Sequence, residues 1–365
     1  NAVFILDPDA KSWAGHYMAY NEKLSRQFEF EGYSVRVICR HDLSRDILSL
    51  RSNYSPLLTA HSWEIGNRDH NQRYVEEFES QISTYFELYF AEFPGPILLY
   101  MYCGSLEHAE ILLRITSRFP QVFVNINLFW LSFKLTGFYA EKWFSVISFL
   151  DKASGIGNFV ATVPTNELRD RLAQLTGCVL PVAPHPSTGV SDSLFLEGLP
   201  RETCKRIRGK LNILFPGALR LEKGYNNSIE TFQLLCEHPE RFHPIIRYAP
   251  TQSTPKALLK SLSLIEGGEV VEGELTDDEL LSLFSRADIV VLPYTPDAFS
   301  ERTSGLLIDS IYFGIPCVVV RGTWLGNLVA LYECGVVLAD PTAEDLCNGV
   351  KEISENYEHY SSRAR

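Results

Sequence analysis

The stretch Ser300 to Val320, SERTSGLLIDSIYFGIPCVVV, decides how this chain is read. It opens on a carboxylate, Glu301, passes through Thr303, Ser304 and Gly305, and enters an apolar helical run carrying a second carboxylate, Asp309. It then turns at Gly314 and Pro316 into the β-branched strand Cys317 to Val320. With Asp309 about a turn inside the helix, Glu301 sits at its mouth, and the two carboxylates face one ligand from different heights. A helix that starts on Thr, Ser and Gly presents free backbone N–H groups and the positive end of its dipole, which suits a phosphate. One short element therefore offers an anion cradle and two acceptors for hydroxyl groups. Nucleotide sugars need both.

The same alternation of strand and helix extends in both directions. Ala2 to Leu6 reads as a strand ending at Asp7-Pro8, followed by a loop to Gly15-His16, a helix over Tyr17 to Glu31, and a strand over Ser34 to Cys39. This is a βαβ unit, whose product is a parallel sheet. Residues 42 to 72 read as polar and irregular, and a long amphipathic helix spans about Gln72 to Phe90. Strands follow at Pro96 to Tyr102, Gln121 to Asn127 and Phe159 to Val163. Val179 to Val190 holds three Pro and a Gly between two periodic regions and marks the domain boundary. The second half repeats the pattern, with strands at Asn212 to Phe215, Pro244 to Tyr248, Glu269 to Glu272 and Asp288 to Pro293. Asp277 and Asp278 are expected to cap a helix running to Ser285, and a last helix starts near Ala343. The expected fold is α/β, with domains at 1–185 and 186–345 and a terminal helix at 346–365. Two such halves imply a cleft where ligands bind.

Bulk properties narrow the function. The 365 residues suffice for two domains with sizeable cores, and a net charge of −12 argues against a nucleic-acid partner. Eight Cys are scattered without a CxxC pair or zinc spacing, which fits reduced thiols and a cytoplasmic setting. Neither a transmembrane segment nor a signal peptide is legible. The aromatic stretch Asn127 to Tyr139 reads as core or as an acceptor wall, with peripheral membrane contact left open. No metal site is indicated, since turn formation and helix capping account for the paired acidic residues.

A second informative stretch runs from Gly217 to Gly224, GALRLEKG. A strand exits into a loop with Arg220 and Lys223 three apart, one a forked donor and the other a compact charge, together able to neutralise a diphosphate. Read alone, the loop could equally be a solvated basic turn. With Glu301 downstream, the binding reading is favoured.

Three features now coincide: this G-x-x-R-x-E-K-G loop, the strand Ala287 to Pro293 (ADIVVLP), and Glu301-x7-Asp309 followed by Gly314-Ile-Pro316-Cys-Val318. In this order they resemble the retaining GT-B glycosyltransferases, the large group 1 type that uses nucleotide-diphosphate sugars. The resemblance covers roughly Asn212 to Asp340. It implies two Rossmann-like domains facing across a cleft, the first binding the acceptor and the second the donor. It implies transfer of a hexose to a hydroxyl of a saccharide or lipid-linked acceptor, in polysaccharide or glycoconjugate biosynthesis. The nucleotide sugar is a co-substrate, and neither cofactor nor metal is required. By the same resemblance, Arg220 and Lys223 would bind the diphosphate and Glu301 the sugar hydroxyls. Asp309 would meet the ribose, the amides of Thr303, Ser304 and Gly305 the distal phosphate, and Gly273 to Leu275 the base. Gly15, His16 and Asn127 would lie on the acceptor side. Two positions depart from the family pattern: Asp309 stands where Glu is usual, and Ser304 where Gly is usual. The resemblance also suggests that the terminal helix crosses back to the first domain. Two other classes remain open: a catalytically silent module that binds glycan or protein, and a nucleotide-sugar epimerase. The epimerase would need an acid–base set that the sequence does not supply.

Overall fold

A computed structural model describes residues 2–11, 16–60, 68–129, 143–153, 155–183, 209–248, 262, 265–273 and 275–365. The side chains of residues 16, 68–72, 143–147 and 277 are not among those described. The chain divides into two units, Asn1–Pro186 and Ser187–Arg365.

Each unit is built on a six-stranded sheet in which every described pair is parallel. In the first unit the strands are β1 (Ala2–Asp7), β2 (Ser34–Arg40), β3 (Tyr54–Leu58), β4 (Ile97–Met101), β5 (Val122–Asn127) and β6 (Phe159–Thr162). In the second they are β7 (Leu211–Phe215), β8 (Phe242–Tyr248), β9 (Glu269–Glu272), β10 (Ile289–Leu292), β11 (Cys317–Val320) and β12 (Gly335–Leu338). The spatial orders, β3-β2-β1-β4-β5-β6 and β12-β11-β10-β7-β8-β9, are the same doubly wound arrangement twice over. The order reverses between β1 and β4 in one unit and between β7 and β10 in the other. Such a sheet opens a crevice at that reversal, beyond the carboxyl ends of the strands.

Continuously apolar strands suit a sheet covered on both faces. Successive side chains of a strand point to opposite faces, so each sheet carries two cores. Val3 and Ile5 of β1 join one cluster with Met18 and Tyr20 of the helix His16–Phe30, whereas Phe4 and Leu6 join another with Phe78 and Phe86 of the helix Arg68–Glu92. In the second unit Ile289 and Val291 of β10 face one cluster, and Val290 and Leu292 the other.

Three expectations need correction. Residues 42 to 72 are not all irregular: they contain the helix Arg45–Leu50 and strand β3, a strand disguised by Pro56. β3 is an edge strand, where a missing N–H costs no ladder bond. The helix Asp277–Arg286 is capped by Thr276, not by its aspartates. The Thr276 hydroxyl accepts from the Glu279 N–H (3.3 Å), and the Glu279 carboxylate accepts from the Thr276 N–H (2.8 Å), a reciprocal capping box. The terminal helix is two helices, Ala343–Glu355 and Tyr357–Ala364, which pack on the second unit. There Ala364 joins the core beside β11, and the Ser361 hydroxyl donates to the Gly314 carbonyl at 3.4 Å.

The switch point of the first unit is closed by its own polar groups. Asp7, at the end of β1, is buried and accepts from the N–H groups of Asp9 (3.0 Å) and Ala10 (3.1 Å), the Asn21 amide (2.7 Å) and the Tyr102 hydroxyl (2.7 Å). Burial holds this carboxyl above the usual carboxylate range, against the pull of those four donors. Asp7→Ala should remove the 2.7 Å bonds of the Asn21 amide and the Tyr102 hydroxyl and cost roughly 2 kcal/mol or more. Denaturant unfolding of the variant against wild type measures it; an unchanged midpoint would show that the network carries no stability.

Candidate functional site

The second unit gathers the sequence-derived candidates at its own switch point. β7 ends at Phe215, and Pro216-Gly217 leads into a loop whose last turn is a short 3-10 helix, Leu221–Lys223. Gly224 then begins the helix Tyr225–Cys236 with a left-handed backbone, φ 65°. A Cβ there would lie 2.1 Å from the Pro293 carbonyl oxygen, so only glycine allows this loop to lie against the exit of β10. The Thr295 N–H (3.0 Å) and hydroxyl (3.3 Å) both donate to the Glu222 carbonyl and fasten the same junction. Between these ties, Lys223 extends over the ring of Tyr294, its Nζ 5.2 Å from the centroid.

Tyr294 is buried, with its ring 4.4 Å from that of Phe299, at the end of the short helix Pro296–Phe299. The Arg302 guanidinium lies 4.4 Å from the Phe299 centroid. Two rings in contact, tilted by 44°, thus carry a cation each, one from the β7 loop and one from the segment that holds Glu301. Arg220 Nη1 stands 3.9 Å from Glu222 Oε1, a loose and partly exposed pair.

Burial, and the like charges of Arg220 and Arg302, push the Lys223 ammonium down to about 7; Glu222 opposes this and Arg247 adds to it. Burial also pushes Arg302 down, to about 10, with Glu222 opposing and Arg220 adding. The guanidinium groups of Arg220, Arg302 and Arg247 thus act on Lys223 against the carboxylate of Glu222. An anion would relieve that repulsion.

The other candidates occupy the following positions. Glu301 is buried just ahead of the helix Gly305–Tyr312. Ser304, standing where the family has glycine, is the N-cap: its hydroxyl accepts from the Leu307 N–H at 3.4 Å. Thr303 is half-buried beside it, and Gly305 is the first helical residue. Asp309 lies in the second turn and is only 2 % exposed, inside the unit. Gly273 follows β9 with φ 114°, and its N–H donates to the Tyr248 carbonyl at 2.8 Å; Leu275 packs against the core.

Candidates of the first unit have other surroundings. Asn127 ends β5, and its amide donates to the Ala183 carbonyl at 2.7 Å, so it fastens a crossover segment to the sheet. Gly15 falls outside the described residues, and His16 opens a helix with its side chain outside them. His108, by contrast, is a core residue: it receives the Ser105 cap and stands edge-on to Tyr74 and Phe78.

Sequence reasoning missed Arg302, Tyr294 and Phe299. Arg302 adjoins Glu301 and was legible as a third cation of the motif. Tyr294 and Phe299 look like ordinary core aromatics until the cations are placed on them. Among the described residues, no group of three or more His, Cys, Asp or Glu could hold a metal ion, and no helix is long and apolar enough to cross a membrane.

This geometry can be set beside known proteins. Residues 204–365 match the family of glycosyl transferases, group 1. No curated protein sequence matches the chain. Among solved structures, sucrose-phosphate synthase (tll1590) from Thermosynechococcus elongatus is similar over 100% of this chain and 92% of its own, with 15% identity and a TM-score of 0.68. WaaG, a glycosyltransferase involved in lipopolysaccharide biosynthesis, is similar over 99% and 93%, with 16% identity and a TM-score of 0.60. Anabaena Alr3699/HepE, solved in complex with UDP and glucose, is similar over 99% and 92%, with 12% identity and a TM-score of 0.62. At these identities the likeness speaks to the fold, which is GT-B. The group 1 match falls on the second unit, the one that carries Arg220, Lys223 and Glu301.

The depressed Lys223 has a measurable consequence. Its folded value, about 7, lies below its ordinary value of 10.5, so between these pH values the unfolded chain binds more protons. Stability of the unliganded protein therefore rises with pH through this window, and the penalty is fully present below about 7. From pH 7 to 9 the Lys223 contribution should be about 2 kcal/mol, and Lys223→Met should remove it. Urea unfolding of both proteins at the two pH values tests this; parallel pH dependences would refute it.

Proposed function

We propose that the second unit binds a nucleotide-diphosphate sugar and that the protein transfers its hexose to a hydroxyl acceptor, with retention at the anomeric carbon. The observation that carries this reading is the cation cluster at the β7–β10 switch point, one member of which, Arg302, adjoins Glu301. Arg220 and Lys223 hold the diphosphate and stabilise the charge it gains on leaving. Glu301 accepts hydrogen bonds from the sugar hydroxyls, and the helix start at Thr303 to Gly305 faces the distal phosphate. Asp309 serves the ribose side, and the turn at Gly273 to Leu275 the base. Gly15, His16 and Asn127 are kept as acceptor-side candidates.

In the proposed reaction the acceptor oxygen attacks the anomeric carbon from the face the diphosphate leaves. The bond from that carbon to the diphosphate oxygen breaks, and the departing phosphate oxygen takes the acceptor proton. No protein nucleophile is assigned, since positioning and charge stabilisation supply the rate. The cations take the part that a divalent ion has in other transferases. The acceptor is a saccharide or a lipid-linked saccharide, and the setting is polysaccharide or glycoconjugate assembly in the cytoplasm.

A thermal-shift series with UDP, GDP, ADP, CDP and dTDP comes first, because a ligand at a hundred times its Kd adds about 2.7 kcal/mol to stability. One diphosphate should stand out and identify the base. With the corresponding sugar donor, Glu301→Ala and Lys223→Ala should abolish transfer while both proteins remain folded, and Lys223→Ala should unfold at or above the wild-type midpoint. Normal transfer by either variant would refute the assignment of the site; binding without turnover by wild type would favour a silent binding module.

A further inference from the structure

We propose that Tyr294 is a positioning residue for Lys223, its ring face holding the lysine head where the second unit meets the donor's diphosphate. The inference rests on the donor-binding reading above and deepens it, by naming what places a cation of that site.

The ring is the fixed partner. Tyr294 is buried, its N–H donates to the Leu292 carbonyl at 2.9 Å, and its ring centroid lies 4.4 Å from that of Phe299. Lys223 is the movable partner, reaching the ring on a flexible four-carbon stem from the end of a short 3-10 helix. Among the described residues its ammonium has neither an ion pair nor a hydrogen bond, and its head is held by the ring, 5.2 Å from Nζ to the centroid. Gly217 leaves room for this contact. A Cβ there would lie 3.8 Å from the Tyr294 ring edge and hydroxyl and 3.9 Å from Lys223 Cδ, so loop backbone, lysine stem and ring meet at one point. The three residues line one small cavity with Pro293.

The contact is with a neutral ring. Burial pushes the Tyr294 phenol up, against the pulls of Ser304, Arg302 and Arg220, so the ring keeps its proton and presents its negative face to the ammonium. Arg220, Arg302 and Arg247 disfavour the charge on Lys223, and Glu222 favours it. Burial and these like charges drive an ammonium on a flexible stem toward water, and the ring face opposes that. Without the ring, Lys223 leaves for solvent and titrates nearer its ordinary 10.5 than about 7.

The experiment is competitive labelling of the unliganded full chain with trace acetic anhydride, from about pH 6 to about pH 9, following the Lys223 peptide by mass spectrometry. Wild type should label with a midpoint near 7. Tyr294→Leu should raise the midpoint by about one pH unit or more, and Tyr294→Phe, which returns the ring without its hydroxyl, should restore it. Phe284→Leu removes another buried ring of the same core, one that stacks on Phe313, and should leave the midpoint in place. Fluorinating the ring in Tyr294→Phe empties its face of negative charge at nearly constant shape, so it serves if Tyr294→Leu does not fold; the midpoint should again rise. A midpoint that stays or falls on loss of the ring face, or that Phe284→Leu raises equally, would overturn the inference.

Titration calorimetry then connects the contact to the ligand, using whichever of UDP, GDP, ADP, CDP and dTDP stabilises wild type most. Tyr294→Leu should weaken that diphosphate about 10-fold, with most of the loss recovered in Tyr294→Phe. If wild type binds a diphosphate and Tyr294→Leu binds it equally well, the inference falls and the donor site stands. If labelling follows the expected pattern and wild type binds none of the five, the placement by Tyr294 stands and the donor reading falls.

Discussion

The second unit depends on a contact that admits no side chain. Gly224 lies against the Pro293 carbonyl so closely that a Cβ would come within 2.1 Å of it. This approach joins the loop after β7 to the exit of β10, the two strands between which the sheet order reverses. The Thr295 bonds to the Glu222 carbonyl are made at the same place. Lys223 sits between these ties and cannot leave the switch point without breaking them. A backbone constraint thereby becomes a charge held in place, which electrostatic catalysis requires.

That charge is held at a cost. Cations set close together and partly removed from water destabilise the protein that contains them, as the lowered Lys223 and Arg302 show. The aromatic faces of Tyr294 and Phe299 return a part of that energy. A fold selected only for stability would replace such a cluster with apolar side chains. Its retention beside Glu301 is the physical argument for a ligand that brings negative charge, because that ligand turns repulsion into attraction on binding.

Legibility in the sequence followed how local each cause was. The alternating strands, the parallel sheets and the candidates Gly217 to Gly224 and Glu301 to Asp309 rest on short-range patterns, so they could be read directly. β3 was hidden because Pro56 is tolerated only on an edge, and edge position is a property of the whole sheet. Thr276 was overlooked beside two aspartates, although Thr followed three residues later by Glu279 is a capping-box pattern. Ser304 looked like a defect in the motif and is an N-cap. The aromatic platform was beyond reach: no spacing rule says that Tyr294 and Phe299 will meet and carry one cation each.

The two units show what separates a structural switch point from a candidate binding site. Both sheets have the same strand order, and both place a tyrosine just past the strand across the reversal, Tyr102 after β4 and Tyr294 after β10. In the first unit that tyrosine donates its hydroxyl to Asp7, a carboxylate already met by three other donors. In the second unit the tyrosine offers its ring face to Lys223, whose ammonium is disfavoured by burial and by the like charges of Arg220 and Arg302. The topology is common to both; the set of charges around the tyrosine is not. Fold alone would have nominated both crevices. What nominates the second is a buried ammonium crowded by guanidinium groups, a state that an anionic ligand relieves.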